Sequence, residues 1–306
     1  MDYELIVIGA GPGGCSAALY GAREGLTTLL VESAAPGGQM SVTAWVENYP
    51  GVPGASGQDL ANAMLAGAKA AGATFLQAQV TGLHLTGSPK IVETTRGAYT
   101  AGAVVLAMGA APRKLALPEA ERFLGRGLSY CATCDGFFFR NKPIVVVGGG
   151  DSAFEEADFL SRFGSSVTLI HRRSTFRASR IMVERAQRNP KIDFMLDAVV
   201  QEIRGDENGV QEVEVRNTST EKTSVIPANG VFVAIGHTPA TAFLNGLVDV
   251  DSAGYITVDG ASTRTSEPGV FAAGDCVDSV YRQAISAAGM GCRAALDAQA
   301  YLDSLK

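Results

Sequence analysis

The chain has 306 residues and a formal net charge of −6, with 25 Lys and Arg against 31 Asp and Glu. This balance argues against nucleic acid as a partner, because phosphate binding requires clustered positive charge. No apolar run approaches the ~20 residues that cross a bilayer, and a predicted strand begins within four residues of the N-terminus. We therefore expect a cytoplasmic protein without a signal peptide or a membrane anchor. The length predicts two domains, and the 36 glycines favour close-packed α/β layers.

The N-terminal residues combine a predicted strand, a glycine-rich loop and a predicted helix. The strand covers Glu4 to Ile8, the loop has G-x-G-x-x-G spacing, and the helix covers Cys15 to Glu24. Such glycines allow a tight turn, close approach of a pyrophosphate and close packing of helix on strand, while the helix start offers N–H groups to phosphate. A glycine-rich turn without a ligand is the alternative. The candidate binding residues are Gly9, Gly11, Pro12, Gly13 and Gly14.

The second predicted strand, Thr27 to Val31, leads into a carboxylate at Glu32, where dinucleotide-binding units contact ribose hydroxyls. Polar residues in the following Gly- and Pro-rich segment can hydrogen-bond a flat cofactor ring or simply form turns. These candidates are Gln39 and Asn48. Cys15, at the first turn of the preceding helix, is expected to be a small buried residue without a chemical role.

The remainder of the first unit is predicted from its apolar pattern. A helix is predicted at Gly57 to Ala71, followed by a strand at Thr74 to Leu85 and then an antiparallel excursion through Ile91 to Thr95 and Tyr99. A buried strand at Ala103 to Ala110 closes the unit and makes Gly109 a further candidate contact.

Two cysteines with Cys-x-x-Cys spacing, Cys131 and Cys134, follow the first unit. This spacing commonly lowers the pKa of one thiol toward neutrality, and the thiolate is the attacking species in thiol–disulfide exchange. Asp135 comes next and is placed to give or take a proton. A zinc site needs about four ligands, whereas the other three cysteines and the three histidines are scattered. The spacing therefore predicts a redox dithiol and no metal site.

The strand–loop–helix pattern recurs with a strand at Pro143 to Val147, G-x-G-x-x-A spacing in its loop, and a helix at Phe154 to Phe163. A second strand is predicted at Val167 to Ile170, an antiparallel excursion near Val199 to Val225, and a closing strand at Val231 to Gly236. Two dinucleotide-binding units therefore stand in tandem. The candidates in the second unit are Gly148, Gly150, Asp151, Ser152, Ala153, Ile235 and Gly236.

The second strands of the two units end differently. In the second unit the strand ends in His171, Arg172 and Arg173, with Arg177 one turn further on, and no carboxylate follows. A carboxylate suits free ribose hydroxyls and repels a 2′-phosphate, whereas arginines favour that phosphate. The first site is therefore predicted to hold FAD and the second NADPH. A solvated basic patch is the alternative for the arginines.

A last predicted strand, Val270 to Asp275, ends in Gly274 and Asp275 at the edge where parallel sheets bind ligands. Arg282, Gln283 and Ala284 then open an Ala-rich helix that runs to about Leu302. Because this segment lacks a dinucleotide loop of its own, we expect it to complete the first sheet. The predicted domains are residues 1–113 with 242–306 for FAD, and residues 114–241 for NADPH and the dithiol. Their crossovers are expected near 112–118 and 238–242.

Over its full length the chain resembles the low-molecular-weight, bacterial-type NADPH thioredoxin reductases. The resemblance rests on the stretches GAGPGG, PGGQM with VENYPG, CATCDGFFFR, GGGDSA, HRRSTFRAS, VAIGHTP, and FAAGDC with YRQA. It implies an α/β fold of two Rossmann-like three-layer domains, each with a parallel sheet and an antiparallel β-excursion, the second inserted in the first. It also implies FAD at the candidates of the first unit, together with Gly38, Asp275, Arg282, Gln283 and Ala284, and NADPH at the candidates of the second unit. Thioredoxin or a thioredoxin-like protein is implied as partner, and a homodimer as the assembly.

The resemblance further assigns roles around the dithiol. Cys134 is implied as the partner of the flavin, Cys131 as the thiol that attacks the protein disulfide, and Asp135 as the acid–base residue. Phe137 to Phe139 are expected to include an exposed apolar surface for thioredoxin. NADPH and the dithiol need the same flavin, so one domain is expected to rotate against the other about the crossovers. Trp45 and Cys15 differ from the expected residue types, which bears on local flavin packing.

Two other functions remain open at this point. The flavoprotein of an alkyl hydroperoxide reductase shares the layout, but it carries a long N-terminal dithiol extension that is not seen in this sequence. A redox sensor on the same fold would need no intact path for hydride.

Overall fold

A seven-stranded sheet unites the N-terminal and C-terminal parts of the chain in the computed structural model, which describes residues 1–43 and 45–306. Met1–Ala111 and Thr238–Lys306 together form one unit, and Pro112–His237 form the second. In chain order the elements are β1 (Tyr3–Ile8), α1 (Pro12–Arg23), β2 (Thr28–Glu32), α2 (Gly57–Ala70), β3 (Thr74–Gln77), β4 (Val80–His84), β5 (Lys90–Thr94), β6 (Gly97–Leu106), β7 (Ala110–Pro112), α3 (Ala120–Phe123), β8 (Leu128–Ser129), α4 (Ala132–Asp135), β9 (Pro143–Gly148), α5 (Asp151–Ser161), β10 (Ser166–Ile170), α6 (Arg180–Gln187), β11 (Ile192–Met195), β12 (Ala198–Asp206), β13 (Gly209–Asn217), β14 (Thr223–Pro227), β15 (Gly230–Ala234), β16 (His237–Pro239), β17 (Val270–Ala272) and α7 (Ala284–Asp303).

The sheet of the first unit has the strand order β3-β2-β1-β6-β5-β4, with β17 also paired to β6. β1 runs parallel to both β2 and β6, and β17 runs parallel to the end of β6 from Val104 to Leu106. The predicted return of the C-terminal segment to the first sheet is therefore confirmed. Apolar clusters cover the two faces of β1, whose side chains Leu5 and Val7 belong to one cluster and Ile6 and Ile8 to the other.

The single strand predicted at Thr74 to Leu85 is wrong, because this segment forms two strands, β3 and β4, at opposite ends of the strand order. The Ala78 N–H still donates to Glu32 O at 2.9 Å, whereas Gln79 O accepts from the Thr95 N–H. The chain thus changes partners between two consecutive residues. The sequence hides this change, since neither Gly nor Pro occurs between Thr74 and Thr81.

Both loop helices begin three residues before their predicted starts. α1 begins at Pro12 and α5 at Asp151, each directly after the second glycine of its loop. Gly11 and Gly150 have extended backbones and act as N-caps, and Pro is well suited to the first helical position. The N–H groups of these first turns therefore point into the loops, which is the arrangement that binds phosphate.

α1 and α7 pack together at very short range. A Cβ atom on Gly291 would lie 1.9 Å from Gly13 O, and one on Gly13 would lie 3.2 Å from Ala287 O. Only residues without a side chain allow this approach. The start of α7 is thereby held next to the glycine-rich loop that precedes α1.

The second unit contains a five-stranded parallel sheet with the order β11-β10-β9-β15-β8 and a separate antiparallel sheet, β12-β13-β14. The antiparallel sheet confirms the excursion predicted near Val199 to Val225. β7 and β16 form a further two-stranded sheet. β8 lies at one edge of the parallel sheet and is followed at once by the dithiol segment, so that the sheet fixes where the two cysteines begin.

Candidate active site

The glycines of the first loop have the backbone geometry that their spacing predicts. Gly9 has φ +101°, and a Cβ atom on it would lie 2.3 Å from Ala107 O. A Cβ atom on Gly14 would lie 1.7 Å from Gly9 O, whereas one on Gly11 would meet no atom within 4 Å. The first and third glycines therefore pack the loop tightly, and the second leaves a cradle that is open to a ligand.

The loop of the second unit repeats this pattern with one difference. A Cβ atom on Gly148 would lie 2.5 Å from Ala234 O, and one on Gly150 would again meet nothing within 4 Å. The third position is the buried Ala153, whose methyl group fills the space beside Gly148. Asp151 Oδ1 accepts from the Ser179 N–H at 2.7 Å and ties the loop to the segment before α6. Ser152 is exposed on the first turn of α5.

Glu32 holds the backbone around the first loop. Its Oε2 accepts from the Ala10 N–H at 2.9 Å, and its Oε1 accepts from the Ser33 and Ala34 N–H groups. The Gly37 N–H donates to Ala10 O at 2.8 Å, which brings the following turn against the same loop. Gly38 lies in that turn with φ +55°, and a Cβ atom on it would lie 3.6 Å from the Gly11 Cα atom. Gln39 follows and is exposed.

The segment between β17 and α7 is organised by Asp278, a residue that the sequence did not single out. Its Oδ1 accepts from the Val280 and Tyr281 N–H groups, and its Oδ2 accepts from the Arg282 N–H and the Ser286 hydroxyl. Arg282 has φ +49°, in the left-handed region of backbone conformation that residues other than Gly seldom adopt. Such strained positions occur at ligand sites when surrounding contacts hold them. Asp is favoured in turns because its side chain accepts nearby backbone N–H groups. The available sequence signal was therefore an Asp in the loop before α7.

Asp275 is the contrasting carboxylate in this segment. Its side chain is half-buried, and it accepts no hydrogen bond from any residue in 1–43 or 45–306. Burial and the negative charge of Asp278 raise the pKa of Asp275 to about 6, which Arg282 partly offsets. Gly274, just before it, has φ +80° and approaches the Ala287 methyl group. An unpaired, half-buried carboxylate beside a helix start is suited to a hydroxyl-rich ligand, which would supply the missing donors.

Two polar residues from distant parts of the first unit meet beside this segment. Asn48 Nδ2 donates to Gln283 Oε1 at 3.3 Å. Gln283 is also the N-cap of α7, where its side chain and that of Ser286 form a capping box. Ala284 packs against the apolar cluster around Met40. The predicted contacts Asn48, Gln283 and Ala284 are therefore brought together.

These features fit a bound dinucleotide in the first unit. The space beside Gly11 is open at the start of α1, as a diphosphate site requires, and the Asp275 carboxylate is a free acceptor of the kind that binds hydroxyl groups. Gly109, which has φ +69°, directly precedes β7 and accepts a hydrogen bond at its carbonyl from the Ala240 N–H. Cys15 is buried and donates to Ala10 O, and burial raises the pKa of its thiol to about 12. The prediction that Cys15 has only a packing role is thereby supported.

The arginines of the second unit are exposed and available. Among the described residues, none of the guanidinium groups of Arg172, Arg173 and Arg177 forms an ion pair. The Arg177 N–H donates to Gly149 O at 2.8 Å, which places this segment against the second loop. Three unpaired cations beside an open glycine cradle are suited to a ligand that carries several phosphates.

His171 lies beneath this loop and not at its surface. It is only 6 % exposed, its Nε2 lies 3.1 Å from Thr175 O, and a Cβ atom on Gly149 would overlap its ring. Burial lowers the pKa of His171, with a further contribution from the charges of Arg177 and Arg172. The imidazole therefore supports the loop from inside. Of the other predicted contacts, Ile235 is half-buried, and Gly236 has φ +105° and accepts from the Arg113 N–H.

The two cysteines form a disulfide at the start of a short helix. Cys131 and Cys134 are joined, and the hydroxyl of Thr133 lies 3.4 Å from the Cys131 sulfur. Both cysteines are partly exposed, whereas Ala132 between them is buried and fixes the turn. The dithiol is therefore anchored on one side and open to a reaction partner on the other.

Asp135 is held next to this disulfide by Ser129, the second residue that the sequence analysis missed. The Ser129 hydroxyl donates to Asp135 Oδ2 at 2.6 Å and accepts from the Cys131 N–H at 3.0 Å. Burial raises the pKa of Asp135, and the hydrogen bond from Ser129 partly offsets this rise. A polar residue in the short, otherwise apolar strand β8 was the available signal. Asp135 is thus a carboxyl group whose pKa is moved toward the range useful for proton transfer.

The three phenylalanines after the dithiol separate into two roles. Phe139 packs edge-on against Phe232 in the core, with 5.4 Å between ring centroids. Phe137 and Phe138 are 53 % and 43 % exposed. The Arg140 guanidinium lies 4.7 Å from the Phe137 ring centroid. The expected exposed apolar surface beside the dithiol therefore consists of Phe137 and Phe138.

Trp45, the other departure from the family pattern, lies at the surface of the first unit. Its Nε1 donates to Glu47 Oε1 at 3.0 Å, and its ring covers the place where Gly54 would carry a side chain.

Within residues 1–43 and 45–306, no helix has the length and hydropathy to cross a membrane. The same residues hold no group of three or more His, Cys, Asp and Glu side chains placed to bind a metal ion.

Comparison with known proteins gives consistent matches. The family model for pyridine nucleotide-disulphide oxidoreductases matches residues 3–291. The chain is 48% identical over 305 residues to a thioredoxin reductase of Streptomyces coelicolor, covering 99% of this chain and 94% of that one. It is 50% identical over 302 residues to a bifunctional thioredoxin reductase/thioredoxin of Mycobacterium leprae, covering 98% and 66% of the two chains. The crystal structure of thioredoxin reductase from Streptococcus pyogenes superposes with a TM-score of 0.94 at 41% identity, covering 99% and 98%.

Proposed function

The chain belongs to the pyridine nucleotide-disulphide oxidoreductase family, and we propose that it acts within it as a thioredoxin reductase supplied by NADPH through FAD. The observation that carries this proposal is the Cys131–Cys134 disulfide, partly exposed and next to a half-buried carboxyl group, in a unit with its own nucleotide loop. The relatives named above carry the same activity in their names.

The first unit is proposed to hold FAD. Gly11 and the start of α1 would bind the diphosphate, Glu32 the ribose of the adenosine half, and Asp275 the hydroxyl-bearing chain. Asn48 and Gln283, which are joined by a hydrogen bond, would contact the ring. When bound, the flavin accepts a hydride from the nicotinamide and passes an electron pair to the disulfide. The contribution of the protein is to fix the position of the cofactor and to keep Asp275 available to it.

The second unit is proposed to hold NADPH. Gly150 would admit the diphosphate at the start of α5, and Arg172, Arg173 and Arg177 would bind the 2′-phosphate. Their guanidinium groups form no competing ion pairs in the part of the chain that the structure describes. Selectivity for NADPH over NADH then follows from the attraction between these positive groups and the 2′-phosphate, which NADH lacks.

The dithiol carries the electrons to the protein substrate. Opening the disulfide breaks one S–S bond, takes up two electrons and two protons, and leaves two thiols. In the second half-reaction, the Cys131 thiolate attacks a sulfur of the thioredoxin disulfide and forms a mixed disulfide. Cys134 then attacks the Cys131 sulfur, which restores the internal disulfide and releases reduced thioredoxin. Asp135 holds or releases a proton in these steps.

Thioredoxin or a thioredoxin-like protein is proposed to dock on Phe137 and Phe138. Exposed aromatic rings beside a reactive group are typical of an interaction surface. We also propose that two copies associate with two-fold symmetry through their FAD-binding units, as the resemblance implies. Light scattering at micromolar concentration should then give twice the chain mass of 31.8 kDa.

The proposed function is tested by measuring NADPH-dependent reduction of purified thioredoxin by the FAD-loaded protein. Cys134→Ser is the informative variant, because hydride transfer to the flavin precedes the thiol chemistry. It should retain FAD and bleach on addition of NADPH, yet fail to reduce thioredoxin. Wild-type turnover of thioredoxin by Cys134→Ser would exclude the dithiol from the reaction.

A further inference from the structure

Ser129 connects the two reacting parts of the dithiol segment. It is 3 % exposed, and its hydroxyl oxygen accepts from the backbone N–H of Cys131 at 3.0 Å. The same hydroxyl has two acceptors within reach, Asp135 Oδ2 at 2.6 Å and the carbonyl oxygen of Cys131 at 3.3 Å. A buried hydroxyl is therefore placed between the disulfide and the acid–base carboxyl group.

A serine hydroxyl carries one hydrogen and cannot donate to both acceptors at once. When Asp135 is ionised, the hydrogen is best directed at its carboxylate, since a hydrogen bond to a charged acceptor is the stronger one. When Asp135 is protonated on Oδ2, that group becomes a donor to the Ser129 oxygen. The hydroxyl hydrogen must then turn toward the Cys131 carbonyl.

We propose that Ser129 is a positioning residue for proton transfer, a hydroxyl rotor that holds Asp135 beside the disulfide in both of its protonation states. The role rests on the proposed function, because only a dithiol that opens and closes needs such a proton carrier. As the S–S bond breaks and two electrons enter, protonated Asp135 gives one proton to a cysteine sulfur, and solvent supplies the second. Ser129 then turns its hydrogen from the Cys131 carbonyl to the new carboxylate.

The surroundings of Asp135 leave this hydroxyl as its main polar contact. Two causes shift the pKa of Asp135, namely burial, which raises it, and Ser129, which lowers it. Cys131 and Cys134 carry no charge while they are joined. α5 packs against this segment through Phe159 and Leu160, which approach Gly136 and are apolar. In the described chain, no charged side chain of β8, α4 or α5 is among the causes of this shift.

The decisive experiment is an infrared titration of the Asp135 carboxyl group in the oxidised, FAD-loaded protein. The band of the protonated group is assigned by its absence in Asp135→Asn. In Ser129→Ala the midpoint should rise by about one pH unit, because the ionised carboxylate loses a stronger hydrogen bond than the protonated group loses. Ser129→Thr, which keeps the hydroxyl, should restore the wild-type midpoint. This readout requires no turnover, so it tests the rotor separately from the proposed activity.

Ser161→Ala is the matched control. Ser161 is also buried in the second unit, and its hydroxyl donates to Asp158 O and accepts from Asn189 Nδ2. This variant should leave the Asp135 midpoint unchanged. In steady-state kinetics, the pH dependence that Asp135→Asn abolishes should move upward in Ser129→Ala, and Ser129→Ala should add nothing on the Asp135→Asn background. An unmoved infrared midpoint in a folded Ser129→Ala protein would overturn the proposal.

Discussion

Asn48 and Gln283, which are 235 positions apart in the chain, are joined by a hydrogen bond of 3.3 Å between Asn48 Nδ2 and Gln283 Oε1. Each residue was predicted from the sequence as a flavin contact, but neither prediction involved the other. The bond links the segment after the first glycine-rich loop to the N-cap of α7. The two side chains therefore form one polar unit at the proposed flavin site.

We expect Asn48→Ala to weaken FAD binding about fivefold, because a neutral hydrogen bond is worth ~1 kcal/mol. Fluorescence titration of FAD-free protein measures this change. Asn62→Ala is the control, since Asn62 also loses a side-chain hydrogen bond, that from Gln58, on α2 of the same unit. Equal losses of affinity in both variants would show that the Asn48–Gln283 bond has no specific role in cofactor binding.

Neutralising Asp275 and neutralising Asp278 should change the stability of the FAD-free protein in opposite directions. The pKa of Asp275 in the folded, FAD-free protein is about 6, above its ordinary value of 3.8. The folded state therefore holds the proton more tightly than the unfolded state, and stability falls as pH rises between these two values. At pH 7.5 the ionised group destabilises the FAD-free fold by ~2 kcal/mol.

Asp275→Asn should accordingly raise the Tm of FAD-free protein at pH 7.5 by about 4 °C, and by much less at pH 4.5. It should also weaken FAD binding, since the carboxylate acceptor is lost. Asp278→Asn should lower the Tm, because this carboxylate accepts four hydrogen bonds. Differential scanning fluorimetry at the two pH values distinguishes them. A lower Tm for Asp275→Asn at pH 7.5 would contradict the assignment.

The double variant Arg172→Ala with Arg173→Ala should lose activity with NADPH far more than with NADH. Each charged hydrogen bond to the 2′-phosphate is worth ~1.5–3 kcal/mol, so the ratio of kcat/KM values should fall by at least ~10-fold. Arg216→Ala is the control, since Arg216 is engaged by Glu221 on the antiparallel sheet of the same unit. An unchanged NADPH-to-NADH ratio in the double variant would remove the arginines from the cofactor site.

Local patterns were sufficient to predict much of this fold. The two glycine-rich loops, their flanking strands and the return of β17 to the first sheet all follow from residues close together in sequence. The change of partner between Ala78 and Gln79 does not. An alternating pattern predicts that a strand forms, but it does not determine which other strand pairs with it. The predicted starts of α1 and α5 lie too late in the chain. The first turn of each helix belongs to the glycine-rich motif, and its residues lack the apolar pattern that predicts a helix.

Prediction of the candidate active site meets the same limit, because a local pattern does not show which distant groups the fold brings together. Cys131, Cys134 and Asp135 are adjacent, so their spacing alone predicts the chemistry. Ser129 and Asp278 are polar residues in unremarkable positions, and their roles depend on which atoms the folded backbone brings within hydrogen-bond distance. His171 was predicted from its place in a basic run, whereas its environment is decided by the packing of Gly149 and Phe176.

The exposed rings of Phe137 and Phe138 lead to a prediction that separates docking from chemistry. Replacing both by Ser removes apolar surface that a protein substrate would cover, at ~25 cal/mol per Å². The KM for thioredoxin should rise about 10-fold or more, while reduction of a small aromatic disulfide should be unaffected. Phe139 is left intact because its packing on Phe232 belongs to the core. Val225→Ala, at a similarly exposed position on β14 of the same unit, should change neither substrate. If the small disulfide were also reduced more slowly, and by the same factor, the rings would support the dithiol instead of binding the partner.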